Sequence, residues 1–458
     1  MTKSSWIIAL ASAALLLAPS VGAQETDHPL LRQLAGVVSP ETLRTTIARL
    51  VGFGTRHSLS GNASTTRGIG AAQAFVKDSF AKISAGCGNC LVIETPSENF
   101  TGARVPVSTA FMDVLAIQRG TTDPDRVIII AGHLDSRNTD IMDAVHDAPG
   151  ANDDGSGTAA VLEAARILSQ HKFPATLVYA VLTGEEQGLY GGTVLAHYAQ
   201  SHHWNVEVDL NNDIIGNSHG GDGTVDATHV RVFSEGTRDL ETEAEARGIR
   251  YNGGEVDSPS RNLARFVTGL GERYLTDFHA RMIYRTDRYG RGGDQVPVLA
   301  AGFPALRLTE GAENYTREHQ NVRNENGIAY GDVIEGVDFS YLAQVTRLNV
   351  ISMAALAMAP APPQVAIAGA VTYDTTLSWT PVAGAATYRA WWRDSLDPLW
   401  THSRMVGDAT SIKLEHVNID DWLFGVSSLS ADGYESPVAF PGTDRPVGPN
   451  LTTAPMPK

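Results

Sequence analysis

Val127-Ile128-Ile129-Ile130-Ala131-Gly132 and Thr176-Leu177-Val178-Tyr179-Ala180-Val181-Leu182 are the two runs that decide the fold. Both are continuously apolar and rich in β-branched residues. A strand wetted on one face alternates polar and apolar residues, so unbroken runs suit strands covered on both faces. Strand and helix signals alternate around them. Strands are expected at 91–95, 111–118, 127–133, 177–183, 207–215, 229–233 and 304–308. Helices are expected at about 66–83, 155–170, 188–200, 237–247, 262–278 and 332–357. Ser39-Pro40-Glu41 opens an earlier helix, with Ser39 as N-cap and Pro40 at the first helical position. Residues 24–38 read as an N-terminal arm. The pattern predicts an α/β domain with a mostly parallel, twisted central sheet flanked by helices. In such sheets, sites collect where the carboxyl ends of the strands open into loops.

Composition shifts after the last long helix. Ala359-Pro360-Ala361-Pro362-Pro363 is a stiff linker. Beyond it no segment reads as a helix, and short alternating strands recur between turn signals. Five of the seven tryptophans (Trp379, Trp391, Trp392, Trp400, Trp422) fall there. The expectation is an all-β sandwich with its tryptophans in the core. Leu377-Ser378-Trp379, Ala386-Thr387-Tyr388-Arg389-Ala390-Trp391 and Trp422-Leu423-Phe424-Gly425-Val426, closing on Gly433-Tyr434-Glu435-Ser436, resemble a fibronectin type III domain. The expected divisions are 24–358 for the α/β domain, 359–364 for the linker, 365–445 for the sandwich and 446–458 for a C-terminal tail.

Residues 1–23 read as a secretory signal. Lys3 precedes an apolar stretch from Trp6 to Pro19, and Val21-Gly22-Ala23 is a small-residue cleavage site. The expected location is therefore periplasmic or extracellular. The chain has 458 residues, 43% of them apolar, which is ample for a large core. Its formal charge of −16 gives no electrostatic footprint for nucleic acid. No apolar run after the N-terminus is long enough for an integral membrane protein. Cys87 and Cys90 are the only cysteines. With no second CxxC for a zinc site, they read as a small disulfide closing a Gly-Asn turn.

The chemistry lies in five segments, each just past an expected strand or just before a helix. In order they are Gly132-His133-Leu134-Asp135-Ser136, Asn152-Asp153-Asp154-Gly155-Ser156-Gly157, Thr183-Gly184-Glu185-Glu186-Gln187-Gly188, Asn211-Asn212-Asp213, and Tyr315-Thr316-Arg317-Glu318-His319. Carboxylates crowded at the end of a compact sheet repel one another and are costly to desolvate, so they call for cations. Two imidazoles among them shift the choice from calcium or magnesium toward zinc or a similar transition ion. Adjacent glutamates point in different directions, so one can bind metal while its neighbour handles a proton.

Taken together, the segments resemble the bacterial leucyl aminopeptidase-like branch of the co-catalytic dizinc metallopeptidases. The resemblance covers about residues 40–358, with Gly54-Thr55-Arg56-His57 and Gly302-Phe303-Pro304-Ala305-Leu306-Arg307 as further matching positions. It implies two Zn²⁺ ions per chain, bridged by Asp153. His133 and Asp213 would complete one site, and Glu186 and His319 the other. Glu185 would be the general base toward a metal-bridging hydroxide. Asp135 would accept a hydrogen bond from His133, and Asp154 would cap the following helix. Gly293-Asp294-Gln295 departs from the Ser-Asp-His common in the family. The implied activity is removal of N-terminal residues from peptides or proteins. The alternatives are a carboxypeptidase, a single-zinc glutaminyl cyclase-like enzyme, and a non-catalytic binding protein. The sandwich could meet a surface, a polymer or the catalytic domain.

Overall fold

The computed structural model describes residues 27–442. The expected signal segment and C-terminal tail lie outside the described residues. An eight-stranded sheet forms the centre of the structure. Its spatial order is Val92–Glu94, Val114–Gln118, Ala175–Leu182, Asp123–His133, Asn205–Asn212, Ala305–Glu310, His229–Phe233 and His279–Ile283. The sheet is mixed. Its central strands, from Ala175–Leu182 to Ala305–Glu310, run parallel, and antiparallel pairings lie on either side of them.

The two apolar runs occupy the middle of this sheet, and the side-chain alternation explains their composition. Ile128, Ile130, Leu177, Tyr179 and Val181 face one helical layer. Val127, Ile129, Ala131, Val178, Ala180 and Leu182 face the other. The first layer includes helices Pro40–Val51, Ile69–Gly86, Gly155–Leu168, Pro259–Tyr274 and Phe339–Met358. The second is smaller, built on Tyr190–Ser201 and Gln295–Ala300. Each fully buried Val, Leu or Ile stabilises the fold by ~1.5–3 kcal/mol relative to exposure. With both faces covered, neither set carries a charged residue, and the one hydroxyl among them, that of Tyr179, donates to Gln118 at 2.8 Å.

Several boundaries differ from the sequence expectation for identifiable reasons. The N-terminal arm contains a helix, Pro29–Gly36, which buries Leu31 and Leu34. It is short, and its N-cap His28 makes no side-chain cap bond. The helix expected at 237–247 runs instead from Glu243 to Asn252. Thr242 and Glu245 form a reciprocal capping box that fixes this start. The last long helix begins at Phe339, because the Asp338 side chain accepts the amides of Ser340 and Tyr341. Ser39 caps its helix as expected, accepting the Thr42 amide at 3.2 Å. Cys87 and Cys90 are joined by a disulfide.

The C-terminal region holds two three-stranded antiparallel sheets. One is Val365–Ala368, Thr375–Trp379 and Ser411–Leu414; the other is His402–Gly407, Thr387–Asp394 and Trp422–Leu429. Leu377, Trp379, Tyr388, Leu414, Phe424 and Val426 form their shared core. Arg393 grips Asp257 with a fork of 2.9 and 2.8 Å, and Arg265 adds a third bond at 2.9 Å. The Trp400 indole donates to Asn262 at 3.2 Å, and His28 stacks on Tyr434 at 3.7 Å. Arg126, near the start of its strand, donates to the carbonyls of Leu356 and Ala359 at 3.0 and 2.6 Å. The linker therefore leaves from the strand-start end of the sheet. At ~3.3 Å per residue, Arg126 is roughly 20 Å along its strand from His133.

The glycine at the other end of that strand sets how closely the next helix approaches. A Cβ added at Gly132 would lie 2.6 Å from the carbonyl carbon of Gly157 and 3.0 Å from the Thr158 amide nitrogen. Both obstacles are backbone, so the helix would have to move. Gly132→Ala is expected to cost about 1–3 kcal/mol and to reduce bound metal, because it shifts the turn that carries Asp153. Urea unfolding and elemental analysis of the purified variant check the two effects.

Candidate metal centre

Each candidate residue stands at or beyond a strand end. His133 is the last residue of Asp123–His133. Glu185 and Glu186 open the short helix Glu185–Gly188 that follows Ala175–Leu182. Asp213 comes directly after Asn205–Asn212. His319 lies in the loop after Ala305–Glu310, with a left-handed φ of 54°. Asp153 precedes the helix Gly155–Leu168 and is joined to Asp154 by a cis peptide bond.

Folding gathers five of these side chains into two triplets that share Asp153. Its Oδ1 is 3.2 Å from His133 Nε2, and its Oδ2 is 2.9 Å from His319 Nε2. Asp213 Oδ1 lies 3.9 Å from His133 Nε2. Glu186 Oε1 lies 3.1 Å from His319 Nε2. The donor atoms of His133, Asp153 and Asp213 all fall within 4.8 Å of one another, as do those of Asp153, Glu186 and His319. Among the described residues no other group of three or more such donors is this close.

The donor set fits a divalent ion in each triplet. His133 Nε2 and Glu186 Oε1 are buried without a hydrogen-bond partner. Leaving such an atom unpaired costs about 1–3 kcal/mol. Imidazole with carboxylate suits zinc better than the all-oxygen preference of calcium or magnesium. The protonation of the protein alone points the same way. Burial pushes the His133 imidazole down, but the nearby carboxylates of Asp135, Asp153 and Asp213 outweigh it and hold it well above its usual value. His319 is likewise opposed by burial and raised by Glu186 and Asp153, to about 11. Asp153 is held well below the usual carboxylate range by the two imidazoles, against its own burial. Half-buried Glu185 is pushed well above its usual value by desolvation, with Glu186 and Asp213 adding repulsion against the pull of His133.

The neighbouring residues explain how the donors are aimed. Asp135 accepts the amides of Gly184, Glu185 and Glu186 at 2.8, 3.3 and 3.1 Å, and the Ser58 hydroxyl at 3.0 Å. It therefore fixes the turn that presents both glutamates. Sequence reasoning gave it a bond from His133, but its carboxylate is 3.6 Å from Nδ1. The ring nitrogen instead faces the main-chain carbonyl of Asp135 at 3.1 Å. Asp154 caps the helix through Gly157 at 2.8 Å and accepts the His133 amide at 3.0 Å.

Other contributors carried no clear motif. Asp332 accepts the amides of Asn152 and Asp153, the latter at 2.7 Å. It belongs to no recognisable pattern in the sequence. Arg307 is fully buried and bonds Asp213 Oδ2 at 2.8 Å, while Asp213 Oδ1 faces His133. Its position was visible only as part of the Gly302–Arg307 match. Asp294 accepts the Gly192 amide at 2.9 Å. Gln295 donates to Asp287 at 2.6 Å and accepts from Asn211 at 3.1 Å. Gln295, where the family triplet has His, thus makes buried polar contacts with Asp287 and Asn211.

A family model described as Peptidase family M28 matches residues 113–335. A probable zinc metalloprotease of Pyrenophora teres f. teres is 40% identical over 432 residues, covering 92% of this chain and 89% of that one. The chain belongs to peptidase family M28. A probable zinc metalloprotease of Pyricularia oryzae is also 40% identical, over 434 residues, covering 92% of this M28 chain and 86% of its own. LapB from Legionella pneumophila shares the fold, with a TM-score of 0.52 at 16% identity over 73% of this chain and 76% of that one. The Legionella pneumophila LapA aminopeptidase gives 0.51 at 16% identity, over 73% and 78%.

The raised imidazoles of this M28 chain hold protons that a metal ion must displace. Zinc uptake by the metal-free protein is therefore expected to release protons, and affinity to rise with pH by about tenfold per unit for each proton displaced. Calorimetric titrations in buffers of different ionisation enthalpy count those protons. An affinity flat from pH 6 to 8 would contradict the protonation described above.

Proposed function

We propose that this M28 chain is a zinc-dependent exopeptidase that hydrolyses N-terminal residues from peptides, with two Zn²⁺ ions per chain. The observation that carries the reading is Asp153, whose two oxygens each face a different imidazole at 3.2 and 2.9 Å. His133 and Asp213 would complete one position, and Glu186 and His319 the other. Bound zinc supplies a Lewis acid that lowers the pKa of water and polarises a carbonyl.

The chain's own residues supply orientation and the proton path. Asp135, through three amides, holds Glu185 and Glu186 in one turn. Glu186 is turned toward His319, which leaves Glu185 to take the proton of the attacking water and hand it to the leaving nitrogen. Burial raises the proton affinity of Glu185, as a base for water requires. Arg307 holds one oxygen of Asp213 and so orients the other toward His133. The order of the five segments along the chain supports the aminopeptidase branch. The C-terminal sheets are read as a fibronectin type III-like domain over 365–445, and the chain as exported with residues 1–23 removed.

Glu185→Ala is expected to keep its zinc while losing about 10²–10⁴ in turnover. His319→Ala is expected to lose zinc as well as activity. Elemental analysis beside an aminoacyl-anilide assay separates these outcomes, and near wild-type activity in Glu185→Ala would remove it as the base. Paired dipeptide series decide the direction of attack. Peptides amidated at the C-terminus are expected to be cleaved and N-acetylated ones spared. The reverse result assigns a carboxypeptidase, and failure of both with zinc bound assigns a binding protein.

A further inference from the structure

The C-terminal sheets and the helix Pro259–Tyr274 enclose a cavity of about 250 Å³, which none of the five metal-site donors lines. At ~30 Å³ per water it holds a small organic molecule. Phe266, Leu270 and Trp391 give it apolar and aromatic walls. Its charged lining includes Arg265 and Arg389 and one carboxylate, Glu435.

The compensation of these charges is incomplete. Arg265 pairs with Asp257, but Asp257 also takes the fork of Arg393. Glu435 lies 3.5 Å from Arg389 and has one oxygen engaged by Ser427 and Trp391. The junction thus buries more guanidinium than carboxylate, in a chain whose net charge is −16. Arg389 is only 5% exposed, and its Nε has no hydrogen-bond partner. A buried, unpaired guanidinium N–H beside an open space is matched best by an anion with planar oxygens.

We infer that this cavity binds a small organic carboxylate, with the carboxylate on Arg389 and an aromatic or branched apolar body against Phe266, Leu270 and Trp391. The ligand class follows from the walls. A bare inorganic anion would leave the apolar side unfilled, and a neutral hydrocarbon would leave Arg389 Nε without a partner. Gly269 offers independent access to the same space. It lines the cavity from the helix, and a Cβ built there meets nothing within 4 Å.

Phenylacetate is a suitable probe, with phenylacetamide as the uncharged control. Both are titrated into the full-length zinc-loaded protein and followed by calorimetry and tryptophan fluorescence. One saturable phenylacetate site is expected, with no binding of the amide. Arg389→Gln is expected to weaken that site by about tenfold or more. Gly269→Leu is expected to abolish it by filling the space, which keeps the test open if Arg389→Gln fails to fold. KM for an aminoacyl-anilide should stay the same with phenylacetate present. The assignment is overturned if phenylacetate shows no saturable site, if the amide binds equally well, if affinity is unchanged in the folded variants, or if phenylacetate competes with the anilide.

Discussion

The crowding of negative charge at one end of the sheet governs the rest of the architecture. Asp135, Asp153, Asp154, Glu186, Asp213 and Asp332 are all buried within this cluster of strand ends and loops. Water cannot solvate them there, so each charge or proton must be matched by the protein or by a cation. The chain does so mainly with main-chain amides. Asp135 takes those of Gly184, Glu185 and Glu186, Asp154 those of His133 and Gly157, and Asp332 those of Asn152 and Asp153. Arg307 is the one guanidinium placed directly on a candidate ligand at hydrogen-bond distance. Among the candidate ligands, Nε2 of His133, which faces Asp153, and Oε1 of Glu186, which faces His319, have no hydrogen-bond partner. The acids held mainly by backbone amides are therefore scaffold, and the acids left facing imidazole are where metal belongs.

This division makes the loops stiff without making them long. Arg56 is fully buried and donates to the carbonyls of Leu134, Pro149 and Gly150. One side chain thereby ties the segment carrying His133 and Asp135 to the segment carrying Asp153. The loop with His319 is held by Arg288 and Arg291, which bond Glu313 at 3.3 and 2.9 Å, and Arg291 also bonds Glu318. The five donors come from segments spread over almost two hundred residues. Their convergence depends on these few cross-links and on the close helix approach that Gly132 permits.

Much of the fold was legible because the covering of both sheet faces leaves a direct trace in composition. The runs at 127–132 and 176–182 carry no charged residue, and Ser39, Pro40 and the Pro-rich linker mark element boundaries by fixed chemistry. The candidate donors were legible because each belongs to a short local pattern beside a strand. What the sequence hid was non-local. Asp332 and Arg307 act only through partners far away in the chain, and neither has a distinctive neighbourhood. The short helix Pro29–Gly36 is specified by packing against the long last helix rather than by a cap. Asp135 shows the same limit at finer scale: its proximity to His133 was readable, but which of its oxygens meets the ring depends on three-dimensional placement.

The junction between the peptidase region and the C-terminal sheets lies at the pole where the parallel strands begin. Pro437 and Phe440 share a cavity wall there with Arg126, Asn205 and Pro304. Because Arg393, Asp257 and Arg265 lock that contact, the appended sheets behave as a pedestal rather than a flag on a tether. A molecule reaching the metal centre from the opposite pole does not have to pass them.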